Sequence, residues 1–193
     1  MDQALRAERF RLLYQSNYSR ILAYALRRTA SPEDAADIVS ETFTTAWRKF
    51  DDLPEGDETP LWLYGVARRI IANHRRRESG QDRLREMLSK EYEESVWRDG
   101  PPTDLTALKQ AWSRLRPKDR ELLGLLGWEV LTSDQIAQVL GCSRNVAKLR
   151  VHRARKRFAR ELTRAGIDVK PFLGSRHVED GRTRVCPDTE DMR

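Results

Sequence analysis

Four side chains near residue 145 have the chemistry of base recognition. Arg144 and Lys148 can donate to purine acceptors in the major groove, Asn145 can both donate and accept, and His152 offers a ring nitrogen one turn further on. Spaced by one, three and four, they share one side of a helix, while Ala147, Val151, Ala154 and Phe158 form the apolar stripe opposite. Ser143 stands where an N-cap belongs. Just upstream, Thr132 and Gln135 have capping-box spacing, Ile136, Ala137 and Leu140 make a short inward stripe, and Gly141 follows it. Two helices joined by a tight turn are predicted, a helix-turn-helix whose second helix enters the major groove start first.

The charge agrees. After Arg144 come Lys148, Arg150, Arg153, Arg155, Lys156, Arg157 and Arg160, with no acid among them. Such a run repels itself unless phosphate is near, and Arg155 and Arg157 suit phosphate contacts. A solvated basic face on an ordinary helical hairpin is the plainer reading. The agreement of cap, glycine turn, small inward residues and charge favours DNA.

Two further groups of residues stand out. Asp34, Asp37 and Glu41, spaced three and four apart, fall on one side of a helix that Ser31 and Pro32 can open. Taken alone, this acidic stripe reads as solvated. Trp62 and Tyr64 precede Arg68, Arg69, Arg75, Arg76 and Arg77 in the stretch WLYGVARRIIANHRRR. Aromatic rings can stack on unpaired bases and arginines can meet phosphates, although Trp62 is as well suited to core packing.

Other chemistries lack their residues. There is no phosphate-binding glycine loop, nucleophile elbow or pair of catalytic carboxylates, so an enzyme is not expected. His74, His152 and His177 are far apart, and Cys142 and Cys186 are too few for a disulfide framework; neither metal nor cofactor is expected. No apolar run reaches the roughly 20 residues of a membrane span. The first ten residues have no signal-peptide core, which points to a soluble cytoplasmic protein. The net charge of +6 favours a nucleic-acid partner.

The elements that must position these groups are all helical. Helical periodicity runs through 3–29, with Phe10, Leu13, Tyr14, Tyr18, Ile21, Leu22 and Ala25 facing inward. Helix 32–49 buries Ala35, Ile38, Val39, Thr42, Ala46 and Phe50, and an acidic turn-rich loop, DDLPEGDETP, ends it. The next helix starts near Pro60 and turns Leu63, Val66, Ala67, Ile70 and His74 inward. Residues 78–104 hold eight acids against four bases and close on Gly-Pro-Pro, the composition of a flexible linker. Helix 105–116 presents Leu105, Leu108, Trp112 and Leu115. The stretch 118–129 sets Leu122, Leu123, Leu125 and Leu126 against the helix-turn-helix, with Gly124 and Gly127 suggesting close packing. Beyond Ile167 periodicity stops. The expectation is an all-α chain of two small helical domains, 1–77 and 105–166, joined by the linker 78–104 and followed by a mobile tail, 167–193.

At this level the sequence resembles a known family. SPEDAADIVSETFTTAW followed by WLYGVARRIIANHRRR looks like the second domain of extracytoplasmic-function (ECF) sigma factors of the sigma-70 family, and LTSDQIAQVLGCSRNVAKLRVHRAR resembles their fourth. The resemblance implies a protein that binds core RNA polymerase and directs promoter recognition, opening and initiation. Its partners would be the beta-prime clamp and beta subunits of the polymerase and promoter DNA, with an anti-sigma factor as a further class and no membrane. It assigns Asp34, Asp37, Ser40 and Glu41 to the polymerase clamp, with Ser40 standing where glutamine is common. Trp62, Tyr64, Arg68, Arg69, Arg75 and Arg76 go to the minus-ten element, with Arg69 where asparagine is frequent. Ser143, Arg144, Asn145, Lys148, His152 and Arg155 go to the minus-thirty-five element, with Val146 and Ala147 replacing a common Thr-Val pair. The loop at 51–61 corresponds to the pocket for a flipped minus-ten base, without the usual Phe-Arg-Gly start. The alternative is a one-component repressor or activator with an N-terminal helical partner- or ligand-binding domain; an adaptor whose first 77 residues only bind protein is third.

A tail without apolar periodicity has no core to join. Truncation after Gly166 is therefore expected to leave promoter-directed run-off transcription intact; loss of activity in a still-folded protein would show the tail to be part of the machinery.

Overall fold

In the computed structural model residues 3–76 and 104–167 are described, and among them the chain forms seven helices. These are α1 (Gln3–Leu26), α2 (Pro32–Arg48), α3 (58–76), α4 (Asp104–Ser113), α5 (Pro117–Gly127), α6 (Ser133–Leu140) and α7 (Arg144–Arg164), with a 3-10 turn at Phe50–Asp52. The expected linker, apart from Asp104, and the expected tail, apart from Ile167, lie outside the described residues.

Local sequence explains the helix starts. Ser31 accepts a hydrogen bond from the Asp34 backbone N–H at 3.0 Å, Pro32 fills the first helical position, and Glu33 and Asp34 suit the positive end of α2. At α6 the Thr132 hydroxyl accepts from the Gln135 N–H and the Gln135 side chain accepts from the Thr132 N–H, a complete capping box. Gly141 ends α6 at φ 63° and ψ 43°, the left-handed conformation that costs glycine least. Ser143 then caps α7 by accepting from the Val146 N–H.

The inward faces of α2 and α7 follow the sequence pattern. Ala35, Ile38, Val39, Thr42 and Ala46 are buried on α2, and Ala147, Val151 and Ala154 on α7. The α1 face is shifted. Asn17 and Tyr24 are buried, whereas Tyr14 is exposed although its ring lies 4.6 Å from Phe43. Phe50, expected in the core, is half-buried, edge-to-face with Phe10 and tilted against Trp47. α4 also differs from expectation. Leu108 is exposed, because α4 turns Ala111 toward α7, where it packs with Leu162 and Phe158. Trp112 sits edge-on to both Trp128 and Phe158. Gly124 is closely packed as expected, whereas Gly127 faces open space.

One apolar cluster runs through both halves. Leu122, Leu125, Leu131, Ile136 and Val139 belong with Ile21, Tyr24, Leu61 and Tyr64 to the same buried core. α3 approaches α6 so closely that a Cβ on Gly65 would lie 3.4 Å from the Val139 carbonyl oxygen.

A Cβ at Gly141 would meet nothing within 4 Å, so substitution there tests backbone conformation alone. Gly141→Ala is expected to destabilise the protein by about 1 kcal/mol through its left-handed φ. A shifted urea midpoint at constant slope would register it, and an unchanged midpoint would contradict the assigned turn.

Candidate nucleic-acid interface

The start of α7 presents the residues read as base-contacting. Ser143, Arg144, Asn145, His152 and Arg155 are exposed and Lys148 is half-buried. The arrangement follows from the buried stripe: with Ala147, Val151 and Ala154 turned inward, residues 144, 145, 148 and 152 cannot also face the core. Arg144, which is exposed, is ion-paired with the half-buried Asp134 of α6. The pair links the start of α7 to the first turn of α6 and adds little stability, because exposed pairs contribute little.

One expectation about the basic run is corrected. Arg157, read as a phosphate contact, instead donates to the buried carboxylate of Asp119 at 2.8 Å and lies half-buried between α5 and α7. The sequence put it at the end of a uniformly basic run and gave no sign that an acid from α5 would be buried beneath it. Arg155 is exposed.

α3 carries the second group of candidates. Its arginines divide into partly and fully solvated ones: Arg68 is half-buried, and Arg69, Arg75 and Arg76 are exposed. Arg69 Nε donates to the Gly65 carbonyl at 3.1 Å and Arg76 Nε to the Ala72 carbonyl at 3.2 Å, both bonds within the helix. Arg75 reaches across to the Arg28 carbonyl at 2.7 Å, satisfying a backbone acceptor beyond the end of α1. Trp62 packs half-buried against the core. Tyr64 is only 6% exposed, with its ring 5.1 Å from that of Tyr24. Burial, and then the Glu129 carboxylate, push the Tyr64 hydroxyl pKa above its usual value. In this arrangement a base cannot stack on it.

The acidic face of α2 is separate from both. Asp37, Ser40 and Glu41 are exposed and Asp34 is half-buried, opposite Ile38, Val39, Thr42 and Ala46. Among the described residues no cation lies within ion-pair distance of Asp37 or Glu41. Among the described residues no three His, Cys, Asp or Glu side chains gather to hold a metal, and no helix is long and apolar enough to cross a membrane.

Sequence reasoning missed a polar cluster where the halves meet. Arg28 of the α1 end donates to Glu121 at 2.8 Å and to Glu129 at 3.1 Å, Arg27 donates to Glu129 at 2.9 Å, and the Tyr24 hydroxyl donates to Glu121 at 2.7 Å. These partners are about a hundred positions apart, and no local motif joins them. Gly124 was the one visible trace, a glycine inside a helix with no turn to justify it.

Comparisons with known proteins agree with this architecture. Residues 13–81 match the model of sigma-70 region 2, and residues 105–158 match that of sigma-70 region 4. The chain is similar to RNA polymerase sigma factor YlaC of Bacillus subtilis, 27% identical over 159 residues covering 79% of this chain and 91% of that one. It is similar also to ECF RNA polymerase sigma factor SigL of Mycobacterium tuberculosis, 25% identical over 171 residues covering 85% and 94%. Among solved structures the fold is shared with the sigma factor RpoE of Bartonella quintana in complex with the anti-sigma factor NepR. The TM-score is 0.58 at 24% identity, over 81% of this chain and 98% of that one.

Arg144→Ala is expected to weaken binding to the preferred duplex by about 1–3 kcal/mol and scrambled duplex much less. Equal losses on both would remove the base-reading role. Arg157→Ala should instead lower thermal stability, by about 1–3 kcal/mol, since it leaves the Asp119 carboxylate buried without its charged donor.

Proposed function

Because the chain belongs to the sigma-70 family and, within it, to the ECF sigma factors, we propose that three of its surfaces divide the work of promoter recognition. The protein binds core RNA polymerase and directs it to initiate transcription at promoters. The acidic face of α2, through Asp34, Asp37, Ser40 and Glu41, docks on the basic clamp of the beta-prime subunit. α3, through Trp62, Tyr64 and Arg68, Arg69, Arg75 and Arg76, holds the minus-ten strand. The start of α7, through Ser143, Arg144, Asn145, Lys148, His152 and Arg155, reads the minus-thirty-five element.

The observation that supports this division best is the pairing of opposite faces in one chain. An acidic helix face with no cation beside it would repel phosphate, so its fitting partner is a basic protein surface. The helix-turn-helix has the reverse charge and fits duplex DNA. Phosphoryl transfer belongs to the polymerase, and this chain contributes binding and positioning without catalysis of its own. Its place of action is the cytoplasm, where the polymerase works. The beta subunit is a second polymerase contact. An anti-sigma factor, the class of protein bound to the solved relative, is a further partner. The residues 1–77 and 105–166 act as two domains, and 78–104 as the connection between them.

Strand opening on this reading uses captured bases. Each base pulled from the stack costs a few kcal/mol, offset by stacking on protein rings and by phosphate contacts.

Asp37→Arg with Glu41→Arg reverses the charge of the docking face without touching the α2 core. Charge reversal at a buried interfacial pair costs about 2–5 kcal/mol, so core-polymerase binding should fall more than tenfold. Helical content and melting should stay nearly unchanged, as exposed substitutions shift stability by under about 0.5 kcal/mol. Pull-down with purified core enzyme beside circular dichroism measures both. Wild-type affinity in the double variant would remove docking by this face. A wild type that never binds core enzyme would restore the repressor reading.

A further inference from the structure

Near the start of α1, Arg6 reaches over the end of α2 and onto the turn that follows. Its Nη2 donates to the Trp47 carbonyl, one of the last of α2, at 3.1 Å and lies 3.4 Å from the Asp51 carboxylate. The guanidinium carbon stands 4.9 Å from the centre of the Trp47 ring and 5.9 Å from that of Phe50. Phe10, one turn further along α1, is edge-to-face with the same two rings, at 5.0 Å and 5.8 Å. Arg9 also stands 5.9 Å from the Phe50 ring, with Nη2 3.4 Å from Glu55. These contacts, the first of them between residues 41 positions apart, converge on the exit from α2.

That exit opens the segment 49–59, which carries the chain into α3 and is fastened along its length. In the 3-10 turn the Asp52 N–H donates to the Lys49 carbonyl at 3.0 Å, and Leu53 packs against the core. Across the left-handed Gly56, at φ 63°, the Thr59 hydroxyl donates to the Pro54 carbonyl at 2.6 Å. Asp52, Asp57 and Glu58 are left exposed. Trp62, the half-buried aromatic of the proposed minus-ten face, follows Glu58 by about one helical turn. A strand held at Trp62 therefore lies beside this segment, and a shift of its backbone moves the acceptors and the steric wall that a captured base meets.

We infer that Arg6 is a positioning residue for strand capture: by tying the Trp47 carbonyl to Asp51 it sets where the segment 49–59 stands beside the start of α3, and so which base is accepted there. The inference rests on α3 holding the minus-ten strand. Stability alone does not account for an arginine at this position. Its Nε is buried without a hydrogen-bond partner, and Asp51 is 63% exposed, so the ion pair contributes little. A leucine or methionine would cover the two rings without leaving a donor unsatisfied. Neither could hold a backbone carbonyl and a carboxylate at fixed geometry, as the planar guanidinium does. What the arginine adds is placement.

The test is transcription by core enzyme with the full chain on a barcoded promoter library randomised at both elements, the transcripts counted by sequencing. Arg6→Ala should shrink the ratio between the most and least favoured base at minus ten about fivefold, because capture tolerates little misplacement. Preferences at minus thirty-five should stay as in wild type. Arg6→Lys keeps the charge without the fork and should fall between the two. Asp51→Asn, an exposed change with little effect on stability, should shrink the minus-ten ratio about twofold. Core-enzyme binding should be unchanged in all three, since Asp37 and Glu41 are untouched. A folded Arg6→Ala with wild-type minus-ten preferences would overturn the inference. So would equal flattening at both elements, which marks general loss of structure and not placement. If Arg6→Ala does not fold, an unchanged minus-ten ratio in Asp51→Asn overturns it. Failure of the sigma-factor reading would look different: the wild type itself would transcribe no member of the library with core enzyme.

Discussion

The guanidinium of Arg28 is the constraint on which the arrangement of the two halves depends. A cation of this kind can be held out of water only where carboxylates and hydrogen-bond acceptors surround it. α1 alone supplies only the Tyr24 carbonyl, at 3.1 Å, and the carboxylates come from α5 and the turn after it. Once Arg28 is placed between Glu121 and Glu129, α5 must cross the end of α1. Leu122 and Leu125 then fall into the core beside Ile21 and Tyr24, and α6 must lie against α3. The apolar area supplies most of the attraction, but it would tolerate a slid or rotated docking. The charges fix one.

The parts legible in the sequence are those decided within a few residues. The capping box at Thr132, the left-handed Gly141, the Ser143 cap and the buried stripe of α7 all follow from side chains three or four positions apart. The face of α7 offered to solvent is fixed by those same local rules, so the exposure of Arg144, Asn145 and His152 could be read before any tertiary contact was known. The same holds for α2, where Ser31, Pro32 and one apolar face leave Asp37 and Glu41 outside.

What escaped the sequence is long-range. Leu108 was assigned inward by period alone, yet which side of a short helix is covered depends on the neighbour, and α7 accepts Ala111 instead. Arg157 looked like one more phosphate ligand because the acid that claims it is 38 positions away. Tyr64 has the chemistry of a stacking platform and is buried here with its ring against that of Tyr24, because aromatic rings serve core packing as well as bases. For Leu108 and Arg157 the residue type was read correctly and its partner was not. Periodicity tells which residues share a face, and says nothing of what the face meets.

The closed arrangement treats the two nucleic-acid surfaces unequally, and the difference bears on mechanism. The start of α7, the surface proposed to read duplex DNA, stays exposed. Tyr64 of α3 is buried, so no base can stack on its ring in this arrangement, whereas Trp62 is half-buried. The acidic residues Asp37, Ser40 and Glu41 of α2 are exposed as well. The fold thus leaves the α2 face and the start of α7 both open to partners while Tyr64 is held in the core, so which surfaces are available is decided by how the halves pack.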